Sequence, residues 1–355
     1  MIDWDAITTL IKMGRPIHQL DLRGLDARSY AVAGAVFSEV NLAGACFTGC
    51  DLTKVHFIRC DLTAADFSNA ILSHTSFTNC GMQQARLSAL NMEHNCWSNC
   101  DLRGSHWDNC HLQTGAIINC QLGTAQFHQV WFERMALLGN QLDQMSLCHA
   151  KLDQSTISPA DLRQVDLTGM TANGAILVKA NFANTSLAGM QMLRCTMQQA
   201  DFSGADMRHA DVRESNFHQS TFKNTCMSNI NAPNCLFLAA QLEHVDLTDA
   251  NLEGAIFQQA RLDCCQFDRA NLKMSIWNKS TSCALSLVAA NLSYSRFDYA
   301  QGNQLDFDHA NLDYSQFHSA ALSNTSFQHT SRYRSTGTDP GRLAAEAKTR
   351  TLETA

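Results

Sequence analysis

Over residues 22–327 an apolar residue returns at every fifth position, at numbers ending in 2 and 7, with no insertion or deletion. About 62 positions take part, and nearly all hold Leu, Phe, Met, Ile, Val or Trp. The departures are Ala27, Ala172, Ala232, Ser282 and Gly302. In NLAGACFTGCDLTKVHFIRCDLTAADFSNA, residues 41–70, the series runs Leu42, Phe47, Leu52, Phe57, Leu62, Phe67. A helix repeats at about 3.6 residues and a strand at about 2, so neither alone produces five. The residue two before the apolar one is usually small, as at Ala45, Cys50, Cys60, Ala65, Ala70 and Cys80. The residue just before it is often Asp or Asn, as at Asn41, Asp51, Asp61, Asp101 and Asn271.

This A-(D/N)-(L/F)-x-x pattern resembles the pentapeptide repeat family over about residues 20–330. The resemblance implies an all-β solenoid, a right-handed quadrilateral β-helix with four pentapeptides per coil, one on each face. The pattern suits that fold. The central residue and the small residue two before it face a narrow interior, and the other three face out. Asn and Asp relieve tight turns by bonding nearby backbone. About 310 residues at 20 per coil give 15–16 coils, and a spacing of about 4.8 Å makes a rod of about 75 Å. Length alone, 355 residues, would suggest two domains, but a solenoid grows by stacking.

With 20 residues per coil, residues 20 apart stack in columns. Leu42 and Leu62 belong to one wall. Phe37, Phe57, Phe77 and Trp97 form another, an expected aromatic ladder. Cys60, Cys80, Cys100 and Cys120 share a column at the small inward position. That column reads either as a metal or redox ladder or as small buried hydrophobes standing where Ala also fits; packing is the better account, because zinc needs ligands converging on a tetrahedron. The 15 cysteines are odd in number, and no secretory signal precedes them, which speaks for free thiols in a reducing compartment. Elsewhere the small position is overfilled, at Met135, Asn140, Met145, Met170 and Met190, and at Leu285 and Leu305 where Ser282 and Gly302 vacate the neighbouring central sites. Compensated packing explains this; a local bend shaping a binding face is the alternative.

Three segments are expected. Residues 1–19 are a helical cap, with Asp3 capping a helix over residues 2–13, an Ile7, Leu10, Ile11 stripe seated on the first coil, and Gly14 and Pro16 ending it. Residues 20–330 are the β-helix. Residues 331–355 are a polar, disordered tail with at most one helical turn at 343–348.

No catalytic residues, cofactor or metal site are expected. The outward pairs His74/His94 and His309/His329 stack but bring no third ligand, and no phosphate loop or hydrolase motif occurs. Asp298, Asp306, Asp308 and Asp313 are the four acids of a stretch, 298–313, that holds no Lys or Arg. They are either a solvated face or an acidic docking patch for a basic partner. The whole chain carries −7, which disfavours direct nucleic-acid binding, and no apolar run is long enough for a membrane span.

The expected function is a non-enzymatic, rod-shaped scaffold or adaptor of a bacterium that binds another protein. The stretch IKMGRPIHQLDLRGLDA, residues 11–27, resembles the entry to pentapeptide segments of type VI secretion clusters, which implies a secretion-associated adaptor or effector. A first alternative, implied by family members that protect DNA gyrase, is a DNA mimic. Duplex DNA places about 40 charges in 75 Å; residues 20–330 hold 28 acids and 19 bases. A second alternative is an effector delivered into host cells. The protein is expected in the bacterial cytoplasm, or secreted without a signal peptide, as a monomer or an end-to-end dimer.

Overall fold

The computed structural model describes residues 4–28 and 30–353. The chain is a β-solenoid of about 15 turns, in two compact units, Met1–Ala180 and Asn181–Ala355. Every strand pairing is parallel and joins residues 20 apart, such as Phe37 with Phe57 and Phe222 with Leu242. That offset is the coil.

In the first unit, short strands at Ile17–His18, Val36–Ser38, His56–Ile58, Ser76–Thr78, Cys96–Ser98, Ala116–Ile118, Ala136–Leu138 and Thr156–Ser158 stack into one sheet. The strands at Asn91–Glu93, His111–Gln113, Trp131–Glu133, Lys151–Asp153 and Thr171–Asn173 stack on the preceding face. In the second unit the main sheet runs Thr221–Lys223, Gln241–Glu243, Arg261–Asp263, Thr281–Ser286, Gln301–Asp306 and Ala321–Ser323.

The backbone explains the period of five. After nearly every central residue, residues 159 and 164 excepted, the chain takes a left-handed residue at a number ending in 4 or 9, such as Lys54 (φ 59°), Arg59 (φ 53°) and Asn69 (φ 57°). That residue turns the corner. Its neighbours bond to adjacent coils: Leu42 N–H donates to Asp61 O at 2.7 Å, Gly44 N–H to Thr63 O at 2.8 Å, and Asn41 N–H back to Leu20 O at 2.9 Å. The Asp or Asn before the central residue sits at the start of the face, not at the left-handed corner. Its carboxylate or amide accepts from the N–H two residues on, as Asp51 does from Thr53 at 2.9 Å.

Corners come in two kinds. In the closed kind the residue three after the centre donates to the central carbonyl, as Val55 N–H does to Leu52 O at 3.0 Å. In the open kind a polar side chain from the next coil takes both groups. Ser215 Oγ accepts from Cys195 N–H at 2.9 Å and donates to Met192 O at 2.8 Å. Asn140 does the same with its amide: Oδ1 accepts from Cys120 N–H and Nδ2 donates to Ile117 O, both at 2.8 Å. Ser215 and Asn140 at the small position are thus fitted plugs in the corner of the adjacent coil, which pairs their buried polar atoms, whereas Ser105, Ser280 and Ser315 donate to the carbonyl three residues before in their own coil.

The interior is filled by the central and small residues. Leu42, Leu62, Phe37, Phe57, Phe77 and Trp97 are fully buried. Phe37, Phe57, Phe77 and Trp97 stack at centroid spacings of 5.2, 5.0 and 5.6 Å. A second ladder, Phe47 over Phe67, meets the first edge-on. The overfilled positions are buried too, at Met135, Met145, Met170, Met190, Leu285 and Leu305, while Asn140 is half-buried. Leu305 occupies the room that Gly302 leaves: a Cβ on Gly302 would meet Leu305 Cδ1 at 2.6 Å. There the two faces run together as six-residue strands, Thr281–Ser286 and Gln301–Asp306.

Helix α1 spans Trp4–Lys12; Asp3, expected to cap it, lies outside the described residues. It ends in a Schellman arrangement, with Gly14 at φ 65°, Gly14 N–H on Ile11 O at 2.9 Å and Arg15 N–H on Leu10 O at 2.9 Å. Ile7 is buried, and Leu10 and Ile11 are half-buried. The first strand begins at Ile17, ahead of residue 20, and the last bridge reaches Thr336, beyond residue 330. No described helix is long and apolar enough to cross a membrane.

The expected disordered tail is instead helix α2, Pro340–Glu353. Asp339 caps it by accepting from Gly341 N–H at 2.8 Å and Arg342 N–H at 3.1 Å, and Pro340 fills the first helical position, where no N–H is needed.

The plug makes a stability prediction. Ser215→Ala leaves Cys195 N–H and Met192 O without their bridge and is expected to cost about 1–2 kcal/mol. Ser215→Cys, which keeps a donor of similar size, should cost less. Urea unfolding followed by circular dichroism separates the two; equal losses would show that volume, not bridging, matters at this position.

Candidate interaction surface

The four acids expected to form one patch do not come together as one. Asp298 follows Phe297, Asp306 and Asp308 flank Phe307, and Asp313 follows Leu312, so they stand on three different faces of the coil. Three are engaged in the fold. Asp308 accepts from the Ser326 hydroxyl and from Gln328 N–H, the latter at 2.7 Å. Asp313 accepts from Ser331 Oγ at 2.6 Å and Tyr333 N–H at 2.8 Å. Asp306 accepts from Asp308 N–H at 2.9 Å.

Asp298 is not on the surface at all: it is 1% exposed. The docked helix α2 covers it. Arg342 of α2 reaches Asp298 Oδ2 at 3.1 Å, and Arg296 reaches the same oxygen at 2.9 Å. Arg342 also holds Glu346, one turn along α2, at 2.9 Å. Glu346 faces His318 Nε2 at 3.3 Å, and His318 Nδ1 accepts from Asp339 N–H at 3.1 Å. Since a backbone N–H can only donate, the ring proton of neutral His318 sits on Nε2, aimed at Glu346. Tyr299 packs edge-on against His318 at 5.5 Å, with Arg342 over its ring at 5.8 Å.

Two carboxyls in this latch lie below their ordinary range. Burial works against the Asp298 carboxylate, but hydrogen bonds from Arg296 and Arg342, with their charges, outweigh it. The Tyr299 hydroxyl, then His318 and Arg342, hold Glu346 down to about 2. The sequence carried the signal for this helix in Asp339-Pro340, an N-cap followed by the first helical residue, but Asp-Pro-Gly also reads as a turn.

The four stacked cysteines lie in the wall between coils. Cys60, Cys80, Cys100 and Cys120 are each about 2% exposed or less. Their sulfurs lie 3.4, 3.4, 3.4 and 3.6 Å from the carbonyls of Phe37, Phe57, Phe77 and Trp97. They take the plug position described above. Burial disfavours a thiolate in such a place, and pushes Cys110, Cys235 and Cys265 up to about 12. His74 and His94 stack at 4.8 Å, and His309 and His329 at 4.9 Å. No group of three His, Cys, Asp or Glu among the described residues could hold a metal ion.

The outer walls carry two recurring polar devices. One is a bidentate pair two residues apart within a face, as in Asp21–Arg23, Asp26–Arg28, Asp161–Arg163 and Asp206–Arg208. The other is a ladder between coils, as in Asn231, Asn251, Asn271 and Asn291, linked at 3.0, 3.1 and 3.4 Å. The concavities are shallow and open. The groove at Gln241, Glu243, His244, Arg261 and Asp263 holds about 440 Å³.

Two family patterns match the sequence. A pentapeptide repeat region matches residues 50–127, and pentapeptide repeats (8 copies) match residues 32–54, 286–328 and a set of overlapping spans between 160 and 273. Together they cover more than half of the chain. It is a pentapeptide repeat protein. A search of curated proteins returned no match. Among solved structures, this pentapeptide repeat protein is similar to QnrB1, a plasmid-mediated fluoroquinolone resistance protein, at 16% identity over 57% of this chain and 98% of that one, TM-score 0.32. It is similar to HetL, involved in heterocyst differentiation regulation in the cyanobacterium Nostoc sp. strain PCC 7120, at 18% identity over 93% and 95%, TM-score 0.22. A third likeness is to a pentapeptide repeat protein of the Arabidopsis thaliana thylakoid lumen, at 22% identity over 39% and 69%, TM-score 0.12. Membership rests on the repeat itself.

Two predictions arise here. Under native conditions a thiol reagent is expected to label the exposed Cys226 and Cys264 and to spare the buried Cys60, Cys80, Cys100 and Cys120 until the chain unfolds. Mass mapping of labelled peptides reads this directly; native labelling within the column would contradict its burial.

The second concerns the latch. Glu346 ionises below its ordinary value of 4.5, so its contribution is complete above that value and is lost as pH falls towards about 2. Hydrogen-exchange protection of α2 should therefore fall over that window. Arg342→Gln, which removes the one side chain that bonds both Asp298 and Glu346, should release α2 at neutral pH. Unchanged protection in the variant would show that α2 is held by other contacts.

Proposed function

We propose that this chain is a non-enzymatic scaffold or adaptor of a bacterium that binds another protein along its outer walls. The observation that carries the reading is the unbroken register. Each described coil spends its apolar and small residues on the interior and sets its polar residues outward in columns about 4.8 Å apart, on corners too tight for the longer loops from which catalytic clefts are usually built. A solenoid of this kind offers extended surfaces for a partner.

The DNA-mimic reading has less support. A phosphate-like surface needs uncompensated anions in regular array. Here Asp21, Asp26, Asp161 and Asp206 each lie against an arginine of their own face at 2.6–2.7 Å. A place beside a type VI secretion apparatus, as adaptor or effector, is supported only by residues 11–27, which form the end of α1 and the entry to the first coil.

Tagged full-length protein in a pull-down from the encoding bacterium, read by mass spectrometry, tests the reading, with a gyrase supercoiling assay on the same preparation. The expected result is stoichiometric recovery of a protein partner with supercoiling unchanged. Recovery of gyrase subunits with altered supercoiling would reverse the ranking.

A further inference from the structure

Four of the five tyrosines lie between positions 294 and 333. Three of them form one outward line. Tyr294 and Tyr314 stack with parallel rings at 4.8 Å, and Tyr333 meets Tyr314 edge-on at 5.6 Å. Tyr294 and Tyr333 are 52% and 58% exposed, and Met274, one coil before, is 55% exposed. Nothing in the core is served by them.

Their backbone position makes this notable. Met274, Tyr294 and Tyr314 occupy the left-handed corner at φ 61°, 63° and 59°. The same column of the second unit reads Arg194, Glu214, Asn234 and Gly254 in the coils before. Large polar side chains therefore stand at this corner elsewhere; what changes at Met274 and Tyr294 is that a thioether and a phenol ring are held out to solvent in their place. No hydrogen-bond partner is found for the three hydroxyls among the described residues.

One guanidinium joins the line: Arg334 lies over Tyr333 at 5.3 Å and Tyr314 at 6.0 Å. It has no carboxylate partner among the described residues, whereas most arginines are held by an acid of their own face or of the adjacent coil, as Arg208 is by Asp206 and Arg269 by Asp249. Asp313 is already occupied by Ser331 Oγ and Tyr333 N–H. Arg332 lies over the inward ring of Phe327 at 4.6 Å and not over the tyrosines.

Ring geometry narrows the partner. Tyr294 and Tyr314 stack on one another, so those faces are not open to a nucleobase or sugar ring. What the stacked pair presents outward is ring edges, which carry the positive part of the aromatic quadrupole, and the line adds phenolic donors and the Arg334 guanidinium. All three favour carboxylates. We infer that Tyr294, Tyr314, Tyr333 and Arg334 form a docking strip for an acid-rich segment of a partner protein. The inference rests on the scaffold reading and assigns it a surface.

The test uses the full-length protein and fluorescence anisotropy, with a fluorescein-labelled poly-glutamate peptide as probe and a labelled oligo-dT strand as comparator. Two variants are made, Tyr294→Asn with Tyr314→Asn, and Arg334→Gln. Asn suits the left-handed corner, so the first should melt no lower than the parent. The expected result is saturable peptide binding that weakens with added salt and falls about tenfold or more in each variant. Absence of saturable binding, equal binding by the variants, or preference for the oligo-dT strand overturns the strip. Retention of the pulled-down partner by both variants would also overturn it, while leaving the scaffold reading intact.

Discussion

A left-handed residue every fifth position is the constraint on which the rest depends. Non-glycine residues adopt that conformation at a cost of roughly 1 kcal/mol each, and this chain places Lys, Arg, Gln, His and Tyr there as well as Asn and Gly. The conformation persists because each corner is fixed from two sides. The corner's own N–H bonds to the adjacent coil, as Lys54 N–H does to Ser73 O at 3.0 Å, and the central side chain beside it is buried against its copies 20 residues away. Neither hold exists for one coil alone. The strain is local, while the stabilisation is shared between neighbours, which is why such a chain needs stacking to be stable.

The same geometry explains why so many polar residues are tolerated inside. A square coil leaves a small inward position beside each large one. When Ala fills it the corner below closes on its own backbone, as Ala65 N–H does on Leu62 O. When a polar residue or Cys fills it, the side chain can enter the corner of the adjacent coil, as Ser215 and Asn140 do, or bond back within its own, as Ser105 and Ser315 do. The Cys column is this substitution repeated four times. Its regularity, which looks like a ligand array on paper, is the regularity of the coil.

The walls and columns were legible in the sequence because the repeat is strict: one residue's position fixes its face, its depth and its stacking neighbour. What could not be read lies where a second element is laid over the repeat. Asp298 follows Phe297 at an outward position, and by register alone it is exposed. It is buried because α2 crosses it, and α2 is docked by three side chains, Arg342, Glu346 and His318, through contacts between residues 28 and 44 apart. No period marks that contact. Its helix start was written in Asp339 and Pro340, but local sequence gives a helix start and not the surface it docks on. The open and closed corners were hidden for a similar reason, since the choice at one coil is made by a side chain of the next.

A wall that satisfies its own polar groups is a poor binding surface. Asp–Arg pairs and Asn ladders present little that a partner could improve on, because each group already has a neighbour and displacing it returns nothing. Recognition therefore has to come from where the wall departs from its own rule. In the second unit such a departure lies in the corner column, where Arg194, Glu214, Asn234 and Gly254 give way to Met274, Tyr294 and Tyr314, and where the Arg334 guanidinium stands without an acid. The α2 latch beside it has the opposite character: Asp298, Glu346 and His318 are all engaged, and the charge there is spent on holding a helix. Two neighbouring clusters of aromatic and charged residues are thus separable on physical grounds, one closed on itself and one facing out.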